Sequence, residues 1–215
     1  MGVRLEGIEN HTLDVTCIVL AGGKGLRLGR DKVQEIVGAD NLLQRVLSQL
    51  APFNRDIIIV TAGEKSLPPF NGYQRSRVVA DIYPGRGALG GIYTGLAASS
   101  SQDNLVVACD MPFLNKALLR YMMELSAGFD LVVPRLGDLV EPLHAVYSKS
   151  CLVPMERMLK RGNLEVRGLF EMVSVRYVAS DEIDRFDPEH LSFFNVNTGA
   201  DLEKARRMVM RGVKL

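Results

Sequence analysis

Eight short apolar or β-branched runs alternate with stretches of helical periodicity along the chain: Thr16–Leu20, Asp56–Thr61, Arg77–Asp81, Leu105–Cys109, Asp130–Val133, His144–Tyr147, Val173–Val178 and Phe193–Val196. Each reads as a strand. The first, second and fourth are apolar without alternation, the pattern of a strand covered by helices on both faces. Between the runs, Leu42, Leu43, Val46, Leu47 and Leu50 recur at helical spacing, with Asp40 or Asn41 able to cap the start and Pro52 past the end. Leu118, Leu119, Met122 and Leu125 form a second apolar face, and Leu202, Ala205, Met208 and Val209 a third. The alternation predicts an α/β domain over residues 14–215: a mostly parallel, Rossmann-like sheet with helices on both faces. Residues 1–13 read as a loose extension. In such sheets ligands bind at the carboxyl ends of the strands, so polar clusters just after a strand carry the most functional weight.

A chain of 215 residues suits one domain with a full core. Its net charge of +1 gives no basic excess for nucleic acid. No secretory h-region is visible at the start, and no apolar stretch is long enough to span a membrane. Cys17, Cys109 and Cys151 lie far apart, without metal-ligand spacing, and read as reduced thiols in a cytoplasmic protein.

The candidate chemistry follows three of the strands. After the first comes LAGGKGLRLGRDK, residues 20–32. Its glycines let backbone N–H groups approach an anion, and Lys24, Arg27, Arg30 and Lys32 supply the positive lining a nucleoside triphosphate needs. It is not a P-loop, because Arg30 and Asp31 follow Gly29, and it does not complete the dinucleotide fingerprint. A second strand ends at Asp110 in CDMPFL, where a carboxylate reaches the crevice and can hold Mg²⁺ together with substrate phosphates. A third ends at Asp81, followed by a glycine-rich turn, GALGG, that opens a helix; the helix start favours anions.

Together these motifs, with EPLHAVY at 141–147 and FFNVNT at 193–198, resemble the molybdenum cofactor guanylyltransferases, the MobA family of nucleoside-triphosphate transferases. The likeness runs from residue 16 to about 209. It implies transfer of GMP from GTP to the terminal phosphate of molybdopterin, with Mg²⁺ as cofactor and pyrophosphate as leaving group. Leu20, Ala21, Gly22 and Gly23 would contact the nucleotide through their backbone. Arg27 and Lys32 would neutralise the triphosphate, and Asp110 would hold the metal. By alignment Thr61 and Asp81 flank the base or ribose, Thr61 standing where the family usually has Asn. Asn195 and Asn197, at the end of a late strand, would help bind the pterin or its phosphate. Pro142 and His144 would border that pocket, with a packed or capping role for His144 equally open. Gly22, where cytidylyltransferases usually carry alanine, would leave room for guanine's N2 amino group.

Other departures are Gly25, the Leu of RLG, Ala88 for the usual Pro, and a final helix that opens TGAD without its proline. Arg161 and Arg167 would hold the acceptor phosphate or lie in a solvated connection. The acidic run 180–190 reads as an exposed loop, with contact to cofactor-biosynthesis proteins or a molybdoenzyme as the alternative. Two rival readings are the same chemistry with CTP or another phosphorylated acceptor, and a non-catalytic carrier of nucleotide or molybdopterin. The presence of Lys32 and Asp110 argues against the carrier.

Overall fold

The computed structural model describes residues 14–22, 32–53, 55–63, 67–68, 73 and 75–212. Its strands are β1 (Val15–Leu20), β2 (Ile36–Val37), β3 (Asp40–Asn41), β4 (Ile57–Thr61), β5 (Ser76–Ala80), β6 (Asp103–Ala108), β7 (Leu131–Leu136), β8 (Leu139–Val140), β9 (His144–Ser148) and β10 (Val175–Ala179). Its helices are α1 (Leu42–Leu50), α2 (Gly87–Ala98), α3 (Lys116–Glu124), α4 (Leu152–Arg161), α5 (Ser180–Ile183) and α6 (Gly199–Met210). The main sheet runs β10-β7-β9-β6-β1-β4-β5, with β8 paired to β7. It is parallel from β6 through β5 and between β10 and β7; β9 runs antiparallel to both neighbours.

The apolar runs explain the layers. Every residue of β1 is buried, and successive side chains go to opposite faces. Cys17 and Val19, with Ile57, Ile59, Leu105 and Val107, meet Leu43, Val46 and Leu47 of α1 and Leu118, Leu119 and Met122 of α3. Ile18 and Leu20, with Ile58, Val60 and Val106, meet Leu89, Ile92 and Leu96 of α2 and Met155, Met158 and Leu159 of α4. Gly95 lets α2 come this close, since a Cβ there would stand 2.4 Å from Ile18 Cγ2. A smaller cluster of Val37, Leu42, Phe113, Val196, Leu202 and Ala205 seats α6 on the β2–β3 hairpin.

Side-chain caps set several helix starts. Asn41 accepts from Gln44 N at 2.8 Å, and Gln44 Oε1 accepts in return from Asn41 N at 3.2 Å. Asn115 caps α3 through Ala117 N and Leu118 N, both at 3.0 Å. At α6, Thr198 and Asp201 make a reciprocal box, so the helix starts without an N-terminal proline.

Two expectations are corrected. Phe193–Val196 is not a strand: Leu191–Phe193 form a single tight turn, and the chain after it is extended without a sheet partner. Its aromatic residues are partly buried by ring contacts instead, Phe193 on His144 and Phe194 on Phe113, with centroids 4.9 and 5.7 Å apart. The acidic run 180–190 is not simply an exposed loop. It opens with α5, where Glu182 accepts from Ala179 N and pairs with Arg176 and Tyr121, and buried Asp187 accepts from Leu191 N and Ser192 N. Residues 1–13 lie outside the described residues. No helix among the described residues is long and apolar enough to cross a membrane.

Candidate active site

Backbone hydrogen bonds carry the ladder past the strand ends. Ala21 N donates to Val60 O at 2.8 Å, Cys109 N to Leu20 O at 3.1 Å, and Asp81 N to Thr61 O at 2.8 Å. Residues 20–22, 61–63, 81 and 109–110 are thereby set along one rim, at the carboxyl ends of adjacent strands. The antiparallel β9 brings its beginning to the same edge: Ala108 N donates to Leu143 O at 3.1 Å, and His144 pairs in register with Val107. Asp110 stands near the middle, half-buried, and its carbonyl accepts from Val196 N at 2.9 Å. That bond lays the segment carrying Asn195 and Asn197 against the Asp110 turn.

Gly23 and Arg27, like Lys24 and Arg30, lie outside the described residues. Lys32 opens a single tight turn, Lys32–Gln34, and its side chain is likewise outside the description. Leu20 and Ala21 are buried at the end of β1, and Gly22 is exposed. Thr61 is buried and donates its hydroxyl to Gly63 O at 2.9 Å, closing the turn after β4. One carboxylate oxygen of Asp81 accepts from Tyr83 N at 2.9 Å and from Thr94 Oγ1 at 2.8 Å, so Asp81 shapes the entry to α2. Asn195 donates its amide to Phe193 O at 3.1 Å, and the exposed Asn197 gives its backbone N–H to Asp201. Neither ends a strand. Arg161 and Arg167 are exposed, one closing α4 and the other within a tight turn, Val166–Leu169.

Two sequence readings change here. His144 is fully buried, its ring against Phe193, and neither ring nitrogen has a partner among the described residues. It is a packed histidine rather than a residue bordering the crevice, and burial pushes its pKa down to about 3. Gly22 does not hold space open for a base: a Cβ there would meet Ala62 N at 2.8 Å and Thr61 C at 3.3 Å. The glycine is needed where the β1 and β4 loops cross. Gly22→Ala is therefore expected to cost about 1–3 kcal/mol of stability through forced backbone movement and to weaken GTP and CTP alike. Affinities measured for both nucleotides check this; a loss confined to GTP would restore a base-selective role.

The sequence reading passed over Glu141, the first residue of EPLHAVY. It is half-buried beside the rim, and its pKa is raised, first by burial and further by the charge of Asp110, while Arg167 opposes the shift. Arg45 and Gln49 were also missed, because they fall between the apolar positions of α1. Both are buried and donate to the carbonyl of Pro112, at 3.0 and 2.9 Å. A cavity of about 390 Å³ lies elsewhere, lined by residues including Gln34, Asn41, Gln44 and Leu67, and shares no residue with the rim. All three cysteines are buried, and burial pushes Cys17 and Cys151 up to about 12, so neither offers a thiolate nucleophile.

A rim of glycine-flanked strand ends around one central carboxylate suits phosphate chemistry without an enzyme nucleophile. Residues 17–177 match the model of the MobA-like NTP transferase domain. The chain belongs to the MobA-like NTP transferase family. A probable molybdenum cofactor guanylyltransferase of Pelotomaculum thermopropionicum is 40% identical, over 91% of this chain and 94% of that protein. A molybdenum cofactor guanylyltransferase of Desulfosudis oleivorans is 31% identical, over 92% and 97% of the two chains. The crystal structure of molybdopterin-guanine dinucleotide biosynthesis protein A from Archaeoglobus fulgidus superposes with a TM-score of 0.79 at 29% identity, covering 91% of this chain and 99% of that one. Membership in the MobA-like family agrees with the single α/β domain, its mostly parallel sheet and the rim at the strand ends.

Proposed function

We infer that this chain is a nucleotidyltransferase that moves GMP from GTP to the terminal phosphate of molybdopterin and releases pyrophosphate. The observation that carries the assignment is the arrangement of the rim. Asp110 lies between the ends of β1, β4 and β5 on one side and residues 141–143 and 195–197 on the other. The first side suits the nucleotide and the second the acceptor. The test is incubation with Mg-GTP and molybdopterin, with mass detection of the dinucleotide and an assay for pyrophosphate. Formation of the cytosine dinucleotide from CTP at equal efficiency would overturn the choice of base.

The chemistry needs little from the protein beyond placement and charge. An oxygen of the acceptor phosphate attacks the α-phosphorus of GTP. The bond from that phosphorus to the bridging oxygen breaks, and its electron pair leaves with pyrophosphate. The attacking phosphate is already ionised at neutral pH, so no general base is required. Backbone N–H groups of residues 20–23 hold the nucleotide, and Arg27 and Lys32 take up charge on the β- and γ-phosphates. Asn195 and Asn197 orient the acceptor, with Arg167 near enough to add positive charge on that side.

The donors present fit a hard divalent ion. Among the described residues no group of three or more His, Cys, Asp or Glu could hold a metal. The carboxylate at the centre of the rim is that of Asp110, half-buried, which suits Mg²⁺ held by one carboxylate together with substrate phosphates. When bound there, the ion supplies charge neutralisation across the phosphates.

Lys32→Ala is expected to weaken GTP binding roughly ten- to a hundredfold, the worth of one charge-assisted contact. GMP, which lacks the outer phosphates, should change far less. Calorimetry with both nucleotides checks this, and equal losses would place Lys32 away from the triphosphate.

A further inference from the structure

Two buried donors converge on one carbonyl, that of Pro112, two positions after Asp110. Each carries a cost. Arg45 is only 8% exposed, and no carboxylate of the described residues lies within ion-pair distance of it; Asp40 acts on it only at longer range. A buried guanidinium without a close counter-charge is poor design for stability alone. Gln49 is 3% exposed, and among the described residues its Oε1 has no hydrogen-bond partner. The carbonyl oxygen, with two lone pairs, takes both donors, and together they tie α1 to the turn that follows Asp110.

The tie extends to what the turn touches next. The Arg45 guanidinium sits 5.4 Å from the centre of the Phe113 ring, Phe113 lies 5.7 Å from Phe194, and Lys204 Nζ lies 5.2 Å from Phe194. A cation thus faces each end of a pair of rings, and each contact favours the electron-rich ring face. The stack joins α1, the Asp110–Phe113 turn, the 194–197 segment and α6. The bond from Val196 N to Asp110 O closes the loop from the other side.

We propose that Arg45, seconded by Gln49, is a positioning residue for the transfer reaction. It fixes the turn that carries Asp110 and, through Phe113 and Phe194, the segment that carries Asn195 and Asn197, so that the two hold one geometry toward metal and acceptor. Neither Arg45 nor Gln49 touches substrate in this scheme. The inference rests on the reading of Asp110 as the metal ligand.

The test compares Arg45→Met, Arg45→Lys, Phe194→Leu and Asp110→Asn. Mn²⁺ is titrated by electron paramagnetic resonance into each protein with a non-hydrolysable GTP analogue, alongside steady-state kinetics and thermal melting. Arg45→Met should keep its melting temperature, because the buried charge is replaced by an apolar chain of similar length. Its Mn²⁺ affinity should fall about tenfold and its kcat about 10- to 100-fold, the cost of a small misplacement, while KM for GTP stays within about twofold. Arg45→Lys should recover part of both losses, and Phe194→Leu should reproduce them. Should Arg45→Met fail to fold, Phe194→Leu decides, since it leaves the buried guanidinium in place. Unchanged Mn²⁺ affinity in Arg45→Met and Phe194→Leu, with Asp110→Asn impaired, would overturn the positioning role alone. Unchanged Mn²⁺ affinity in Asp110→Asn would overturn the metal reading beneath it.

Discussion

Asp110→Asn is expected to slow dinucleotide formation by roughly 10³-fold or more, the scale of losing several kcal/mol of transition-state stabilisation at a metal-dependent phosphoryl centre. The substitution keeps the size of the side chain and removes its negative charge. The backbone role of Asp110, accepting Val196 N at 2.9 Å, is retained, so the 194–197 segment should stay docked. The melting temperature should therefore change little while turnover collapses. Single-turnover rates across a range of Mg²⁺ concentrations make the measurement. Near-normal turnover of the variant at limiting Mg²⁺ would remove Asp110 from the metal site.

The second large effect is on stability and depends on pH. His144 has a folded pKa of about 3 against 6.5 for the free side chain. Below pH 6.5 the unfolded chain takes up a proton that the folded protein refuses. Stability is therefore intact above about 6.5 and declines as the pH falls toward 3. At pH 5 the loss is about 2 kcal/mol. His144→Leu removes the term, so its stability should drop less between pH 7 and pH 5 than that of the unaltered protein. It should also gain at pH 7, because the two buried ring nitrogens, without partners among the described residues, are gone. Glu182, held at about 2 by Arg176, contributes a loss only below about 4.5, outside that window. Denaturant titrations at the two pH values, read as a difference between the proteins, cancel the remaining groups. Identical pH dependence in both would mean that the imidazole meets water in the folded state.

Parts of this architecture were open to a reading of sequence, and the reasons are physical. The strands β1, β4 and β6 announced themselves because both faces are covered and nearly every position is apolar. The weight given to Asp81, just beyond β5, and to Asp110, just beyond β6, followed from the rule that crevices lie at carboxyl ends. Strand direction left no such trace: periodicity is the same for parallel and antiparallel pairing, so the reversal of β9 was invisible. Phe193–Val196 imitated a strand because burial by ring contacts demands the same residue types as burial in a sheet. Arg45 sits in the helix pattern where a solvated residue belongs, and its partner, Pro112 O, is 67 positions away in the chain. Glu182 and Asp187 looked solvated for the same reason. Arg176 lies outside the acidic run, on the preceding strand, and the backbone N–H groups that Asp187 accepts from leave no mark in the sequence.

The reversed strand has a consequence for how such an enzyme can change. In the parallel half, the residues lining the rim are tied across strands, Ala21 to Val60, Cys109 to Leu20 and Asp81 to Thr61, so altering one disturbs its neighbour. In the other half the rim residues 141–143 precede β9 and follow a short hairpin, β7 to β8, turned at Gly137 with φ +60°. That hairpin pairs Arg135 with Val140 and Leu136 with Leu139, and its tip, residues 137–139, is exposed. Lengthening or exchanging it would redraw the acceptor wall while β1, β4 and β5 keep their spacing. Old nucleotide, new acceptor is thus the cheaper direction of divergence, and grafted hairpins are the place to begin retargeting the transfer.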